Sequence, residues 1–387
     1  MIEELLFPVD DSLVEMCREL PETSIGKNIL KHTNSGFPDL DGVKLALIFV
    51  KEGRAAKYNN ETGHGFDYVR KHFYDLFMGS WNLKIADLGD LHPGFEVSDT
   101  YSALKDVSQF LLKKDIIPVV IGGGQDLTYP VYRSYDELEQ TVNLVSVDSR
   151  FDLGKVDGKL DSRSYLSHII LGKPNNLFNY SNIGFQTYFN SQEEIDLMDQ
   201  LYFDTLRLGH VANDITIVEP ILRDADIVSV DIGSVRMSDA PANKNASING
   251  FYGEEICAIS RYAGISDKVT SFGVFEYNAM YDNNGQTAQL ISQMLWYFAE
   301  GVSFRAKDYP YCSKEEYLKY IVPVETEELH FYKSNKTERW WLDVPYSDGV
   351  NANYVRHALI PCSYEDYLKA ADQEIPDRWW KAYRKLL

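Results

Sequence analysis

Four short polar clusters hold the side chains of this chain best suited to chemistry: Gly122 to Asp126, Asp148 to Asp152, Asp231 to Arg236, and Glu276 to Asn278. Their functional groups are carboxylates, amides and guanidinium groups. Such groups hold hard cations, or fix polar ligands through charge-assisted hydrogen bonds. No two of the eight histidines lie at i, i+2 or i, i+4, the spacing of a local metal pair. None of the four cysteines (Cys17, Cys257, Cys312 and Cys362) forms a Cys-x-x-Cys pair, and this usage is ordinary for a reducing compartment.

Each cluster ends an apolar run that reads as a buried strand. The runs lie at 116–124, 142–148, 225–233 and 268–278, with further strands at 43–50, 83–88 and 180–186. Helical spacing of apolar residues marks 66–78, 99–114, a segment starting near Leu127, 253–263 and 285–302. The segment 215–222 fits either a strand or a helix. Apolar strands alternating with helices predict a three-layer α/β/α fold with a mostly parallel central sheet. In such sheets ligands bind at the carboxyl ends of strands, where these clusters fall.

The chain has 387 residues and a formal net charge of −20. That charge argues against nucleic acid as a partner. No run of about 18 apolar residues predicts a membrane span. The acidic N-terminus, without a basic segment ahead of a long apolar core, points to a cytoplasmic protein.

Beyond residue 302 the texture changes, which divides the chain into a 1–302 α/β domain and an aromatic-rich 303–387 extension packing on it. Cys312 to Lys319 (CSKEEYLK) reappears as Cys362 to Lys369 (CSYEDYLK), and Arg-Trp-Trp comes after each copy, at 339–341 and 378–380. Ser313 with Glu316, and Ser363 with Asp366, predict two helix N-caps. Alternating polar and aromatic residues over 322–345 suit a β-hairpin. The extension is a candidate contact surface for a protein partner.

Taken in order, the four clusters resemble the motifs of the arginase superfamily, whose members hydrolyse a C–N bond of a guanidino or formimino group with two manganese ions bridged by hydroxide. The resemblance covers roughly residues 40–302. The segments 148–154 (DSRFDLG), 162–170 (SRSYLSHII) and the late helix are similar to the formimidoylglutamase branch. The family's Gly-Gly-Asp-His histidine falls on Gln125. In its Asp-Ala-His-x-Asp motif Asp148 and Asp152 match, while Arg150 takes the histidine's place. In Ser-x-Asp-x-Asp-x-x-Asp-Pro, Ser229 and Asp231 match, but Gly233 and Arg236 stand at the later aspartates. Glu276, at the substrate-contacting glutamate, and Asn278 also match, with Ala279 where the family has proline.

The resemblance therefore implies a metal site with half its ligands, Asp148, Asp152 and Asp231, retained. No bound metal is the leading expectation; one Mn, Mg or Ca ion held by these carboxylates and the Gln125 amide oxygen is the alternative. Without metal the carboxylates repel one another and take up protons. Arg150 is expected to offset that repulsion by bridging Asp148 and Asp231. His168 is the candidate general base, in a loop after Asp152. Three functions are open: a pseudoenzyme acting as a binding or scaffold protein, a formimidoylglutamase-like hydrolase, or a sensor of an amino acid or guanidino compound bound at Glu276 and Asn278. The family's habit of assembly implies a homo-oligomer.

Overall fold

A computed structural model describes residues 2–138, 140–310, 314–325, 327–346 and 356–386. Nine strands form the central sheet: β1 (Leu30–Lys31), β2 (Leu45–Val50), β3 (Ile85–Leu91), β4 (Ile117–Ile121), β5 (Val142–Val147), β6 (Leu177–Phe185), β7 (Asp204–Arg207), β8 (Ile227–Asp231) and β9 (Ser271–Phe275). Their spatial order is β1-β3-β2-β4-β9-β8-β5-β6-β7. Neighbours pair in parallel throughout. Every residue of β2, β4, β5, β8 and β9 is buried, as a parallel sheet covered on both faces requires.

Helices cover both faces, with one apolar core on each side of the sheet. The helix Gln286–Ser303 buries Ala288, Ile291, Leu295 and Phe298 along a single face. Gly301 lies within its last turn. A Cβ there would come 2.6 Å from the carbonyl oxygen of Arg261, so the glycine permits close packing against the helix Gly253–Ile265.

The ambiguous segment 215–222 is helical: a 3₁₀ turn over Ile215–Val218 runs into a helix, Glu219–Asp224, with Pro220 in its first turn. The short edge strands β1 and β7 carry too few residues for alternation to show in sequence. Among the described residues, no helix is long and apolar enough to cross a membrane.

The C-terminal segment builds its own antiparallel sheet from β10 (Tyr317–Val324), β11 (Glu327–Ser334), β12 (Trp340–Asp343) and β13 (Leu359–Cys362). The hairpin expected over 322–345 is present as β11 and β12, with β10 paired on the other side of β11. The two similar octapeptides part company here. Ser363 caps the helix Tyr364–Ala371 with a reciprocal Ser363–Asp366 box. Ser313 lies outside the described residues, and Tyr317 onward is strand rather than helix. The cause lies further along the chain: the first copy runs into Ile321, Val322 and Val324, which pair with β11, and the two valines bury against Trp340 and Leu342. The Arg-Trp-Trp repeats diverge likewise, Trp340 and Trp341 in β12 and Trp379 and Trp380 in the helix Asp377–Leu386.

Candidate functional site

The four clusters issue from β4, β9, β8 and β5, which are consecutive neighbours in the sheet. Their carboxyl ends therefore bring Gln125, Glu276, Asp231 and Asp148 to one place. The turn after β4 depends on glycine, because a Cβ on Gly123 would lie 1.7 Å from the carbonyl oxygen of Glu52. The Gly123 carbonyl in turn accepts from the Glu276 N–H at 2.6 Å, locking the ends of β4 and β9 together.

Asp148, Asp152, Asp231 and Glu276 are all at most 5% exposed. Asp148 Oδ1 accepts from the Arg150 N–H at 2.9 Å, and Asp231 Oδ1 from the Gly233 N–H at 2.6 Å. Asp152 has left-handed backbone (φ 54°), which turns its side chain back towards the cluster. The Gln125 amide lies between this cluster and two hydroxyls. One end of the amide meets the Ser146 and Ser229 hydroxyls at 3.2 Å each, and the other lies 2.9 Å from Asp148 and 3.3 Å from Asp152. With its nitrogen inward the amide donates to both carboxylates; with its oxygen inward it offers a ligand to a cation.

Arg163 supplies the cation. Its Nη1 lies 3.1 Å from Asp152 Oδ1. Burial opposes its charge, but Asp152, Asp148, Asp231 and Glu276 together outweigh that and hold the guanidinium charged. Arg150 does not play the bridging role expected of it. Its Nη1 donates to the Phe189 carbonyl at 2.9 Å, and its guanidinium lies 4.3 Å from the centre of the Phe189 ring. Its main-chain N–H, rather than its guanidinium, meets Asp148.

Burial, then Asp152 and Asp231, push Asp148 well above the usual carboxylate range. Burial raises Asp231 to about 6. Glu276 rises to about 8, from burial and from Asp231 beside it. Unit charges ~4 Å apart at an effective dielectric of about 20 interact by roughly 4 kcal/mol. Repulsion of that size favours protonation in a carboxylate cluster, and one half-buried guanidinium offsets it only in part.

Glu276 itself has left-handed backbone, φ 69°. Its Oε1 accepts from the Gln125 N–H at 3.0 Å and its Oε2 from Asn59 Nδ2 at 2.8 Å. Asn278 Nδ2 donates to Asn59 Oδ1 at 3.0 Å. A cleft of about 1510 Å³ adjoins this arrangement, lined by Asn278, Ser164, Lys57, Lys155, Lys159 and Lys244 among others.

The remaining expected residues lie apart. His168 sits on the helix Tyr165–Leu171 rather than in a loop, and its Nδ1 bonds with the Ser164 carbonyl at 3.0 Å. That bond turns the ring back onto its own helix rather than towards the aspartates. Arg236 pairs with Asp239 at 2.9 Å and stacks on Tyr252, lining a separate cavity of about 460 Å³. At Gly233 a Cβ would meet Asn243 Nδ2 and Asp231 Oδ1 at 3.0 Å, so Asn243 occupies the room a second carboxylate would need. Sequence reasoning missed Asn59, Asn243 and Arg163. Arg163 carried the one available signal, a charged residue in the serine-rich loop 162–164.

These residues, so arranged, do not fit a pair of manganese ions. Among the described residues no three histidine, cysteine or carboxylate side chains are set to hold a metal. Gly233 has no side chain, and Asp152 is already paired with a guanidinium.

The fold and the order of these motifs agree with the comparisons. The chain belongs to the arginase family, which it matches over residues 54–300, and to its formimidoylglutamase-like branch. It is 23% identical over 244 residues to formimidoylglutamase of Staphylococcus carnosus, covering 60% of this chain and 78% of that one. It is 23% identical over 297 residues to the Streptococcus gordonii enzyme, covering 70% and 89%. Among solved structures, Trypanosoma cruzi formiminoglutamase with Mn²⁺ superposes with a TM-score of 0.63 at 18% identity, covering 69% of this chain and 96% of that one. Formimidoylglutamase of Bacillus subtilis gives 0.62 at 17%, covering 72% and 97%.

Proposed function

We propose that this protein binds a small amino-acid-like ligand in the cleft beside Glu276 and Asn278, and that it has given up two-manganese hydrolysis. The observation that carries this reading is the pairing of Asp152 with Arg163, which sets a protein cation against one of the three retained carboxylates. A water there lacks the paired cations that lower its pKa towards neutrality. Glu276 and Asn278 keep their places through Asn59, so the ligand-facing side stays ordered. The cleft is lined by both signs, Lys57, Lys155, Lys159 and Lys244 with Glu61, Glu96, Asp157 and Asp161, which suits a ligand bearing a carboxylate and an amino group together.

A second reading, hydrolysis of a C–N bond in a formimino or guanidino substrate with divalent metal, draws its support from the comparisons. The curated relatives are formimidoylglutamases, and one structural neighbour was solved with Mn²⁺. One experiment separates the two. The protein is incubated with formimidoyl-glutamate, agmatine or arginine, with and without manganese, and ammonia, formamide and urea release are measured alongside ligand-induced melting shifts. A melting shift without product supports the binding reading. Manganese-dependent product release establishes the hydrolase and removes it.

A further inference from the structure

We propose that Arg163 is a resident cation, taking the place of a metal ion among Asp148, Asp152 and Asp231, so that this cluster is complete without any divalent ion. The inference deepens the reading above and rests on its metal-free site.

Two observations converge on it. The Arg163–Asp152 pair is 3.1 Å long, and the Asp152 side chain is only 1% exposed, so the guanidinium reaches a carboxylate that water does not. The loop that carries Arg163 is held on several sides. The Ser162 N–H donates to the Ala55 carbonyl at 3.0 Å, the Gly154 N–H to the Arg163 carbonyl at 2.8 Å, and the Arg163 N–H to Asp161 Oδ1 at 2.9 Å. The arginine is thus delivered by a fixed backbone rather than reaching in from a free one. The guanidinium thus places an N–H group where a cation would otherwise be coordinated. A guanidinium stays protonated throughout the working pH range, so this counter-charge cannot be titrated away. Arg150 is not a competitor for the role, because its guanidinium is spent on Phe189.

The chemistry predicts an exchange: removing the internal cation should open the site to an external one. The test is manganese binding, by isothermal calorimetry and by melting in chelator against manganese. Three full-length proteins are compared: wild type, Arg163→Met and Arg163→Lys. Wild type should bind no manganese at the cluster and melt at the same temperature in both solutions. Arg163→Met should melt lower in chelator and regain about 4 °C or more with manganese, as ligand linkage requires. Arg163→Lys, which keeps the charge, should remain manganese-independent.

Stoichiometric manganese binding by wild type overturns the proposal. So does an Arg163→Met protein that neither loses stability nor gains manganese binding. If Arg163→Met is insoluble without metal, its recovery by refolding in manganese counts for the proposal, and its failure to recover counts against it. The outcomes also separate this proposal from the functional reading. Product release in chelator sinks the functional reading alone. Manganese binding by wild type without turnover sinks this one alone.

Discussion

Asn59 holds the Glu276 carboxylate from one side while the Gln125 main chain holds it from the other. The same asparagine donates to the Glu276 carbonyl and accepts from Asn278, so one amide satisfies groups on both residues. Asn59→Ala would leave Glu276 Oε2 and Asn278 Nδ2 without these partners in a buried setting. We expect a loss of about 1–3 kcal/mol in urea unfolding, with weakened ligand-induced melting shifts. A change under about 0.5 kcal/mol, within the range of neutral surface substitutions, would show that water replaces the amide. At Gly123 the constraint is steric: Gly123→Ala forces the turn after β4 away from Glu52 and should cost about 3 kcal/mol or more. A soluble variant with an unchanged melting temperature would contradict that placement.

At the scale of elements, the join between the central sheet and the C-terminal segment carries a titratable group. The His357 ring stacks on Phe178 with centroids 3.7 Å apart and bonds to Thr141 Oγ1 at 2.7 Å. Burial, then Lys268, Arg356 and Lys385, hold it neutral with its pKa well below the usual histidine value. A group depressed on folding binds its proton more readily when unfolded. Stability is therefore fully present above the unfolded pKa of about 6.5 and falls as pH drops below it, by up to about 1.4 kcal/mol per pH unit. We expect the urea midpoint of wild type to fall between pH 7.5 and 5 by more than that of His357→Gln. Equal slopes for the two proteins would remove His357 from the account.

Across the whole molecule, the buried Arg223 ties the two sheets together. Arg223, on the helix Glu219–Asp224, donates to the carbonyls of Trp340 at 3.0 Å and Cys362 at 2.9 Å, and lies over the Trp341 ring. Arg356 to Asp226 at 2.8 Å and Lys381 to Asp204 at 3.2 Å add ion pairs between the C-terminal segment and the central sheet. Arg223→Met should strand both carbonyls in a buried join. We expect a loss of about 3 kcal/mol or more and faster tryptic release of the C-terminal segment beyond Ser303. Unchanged proteolysis would mean that the outer ion pairs suffice to hold it.

The four polar strand ends, their order and the alternating α/β pattern were legible in the sequence, because buried parallel strands are long unbroken apolar runs and their chemistry lies at one end. The resemblance also marks Gln125, Arg150, Gly233 and Arg236 as departures from the family's motifs, each a single residue. Which guanidinium faces the aspartates was not legible. Arg150 occupies the expected position in the chain, yet Phe189 draws its side chain away, and Arg163 enters from a loop 11 residues after Asp152. Asn59 lies 217 residues from the carboxylate it holds. Sequence determines local pattern and the identity of each group. The direction a long side chain takes depends on partners brought in by other strands and loops, and only the folded chain decides it.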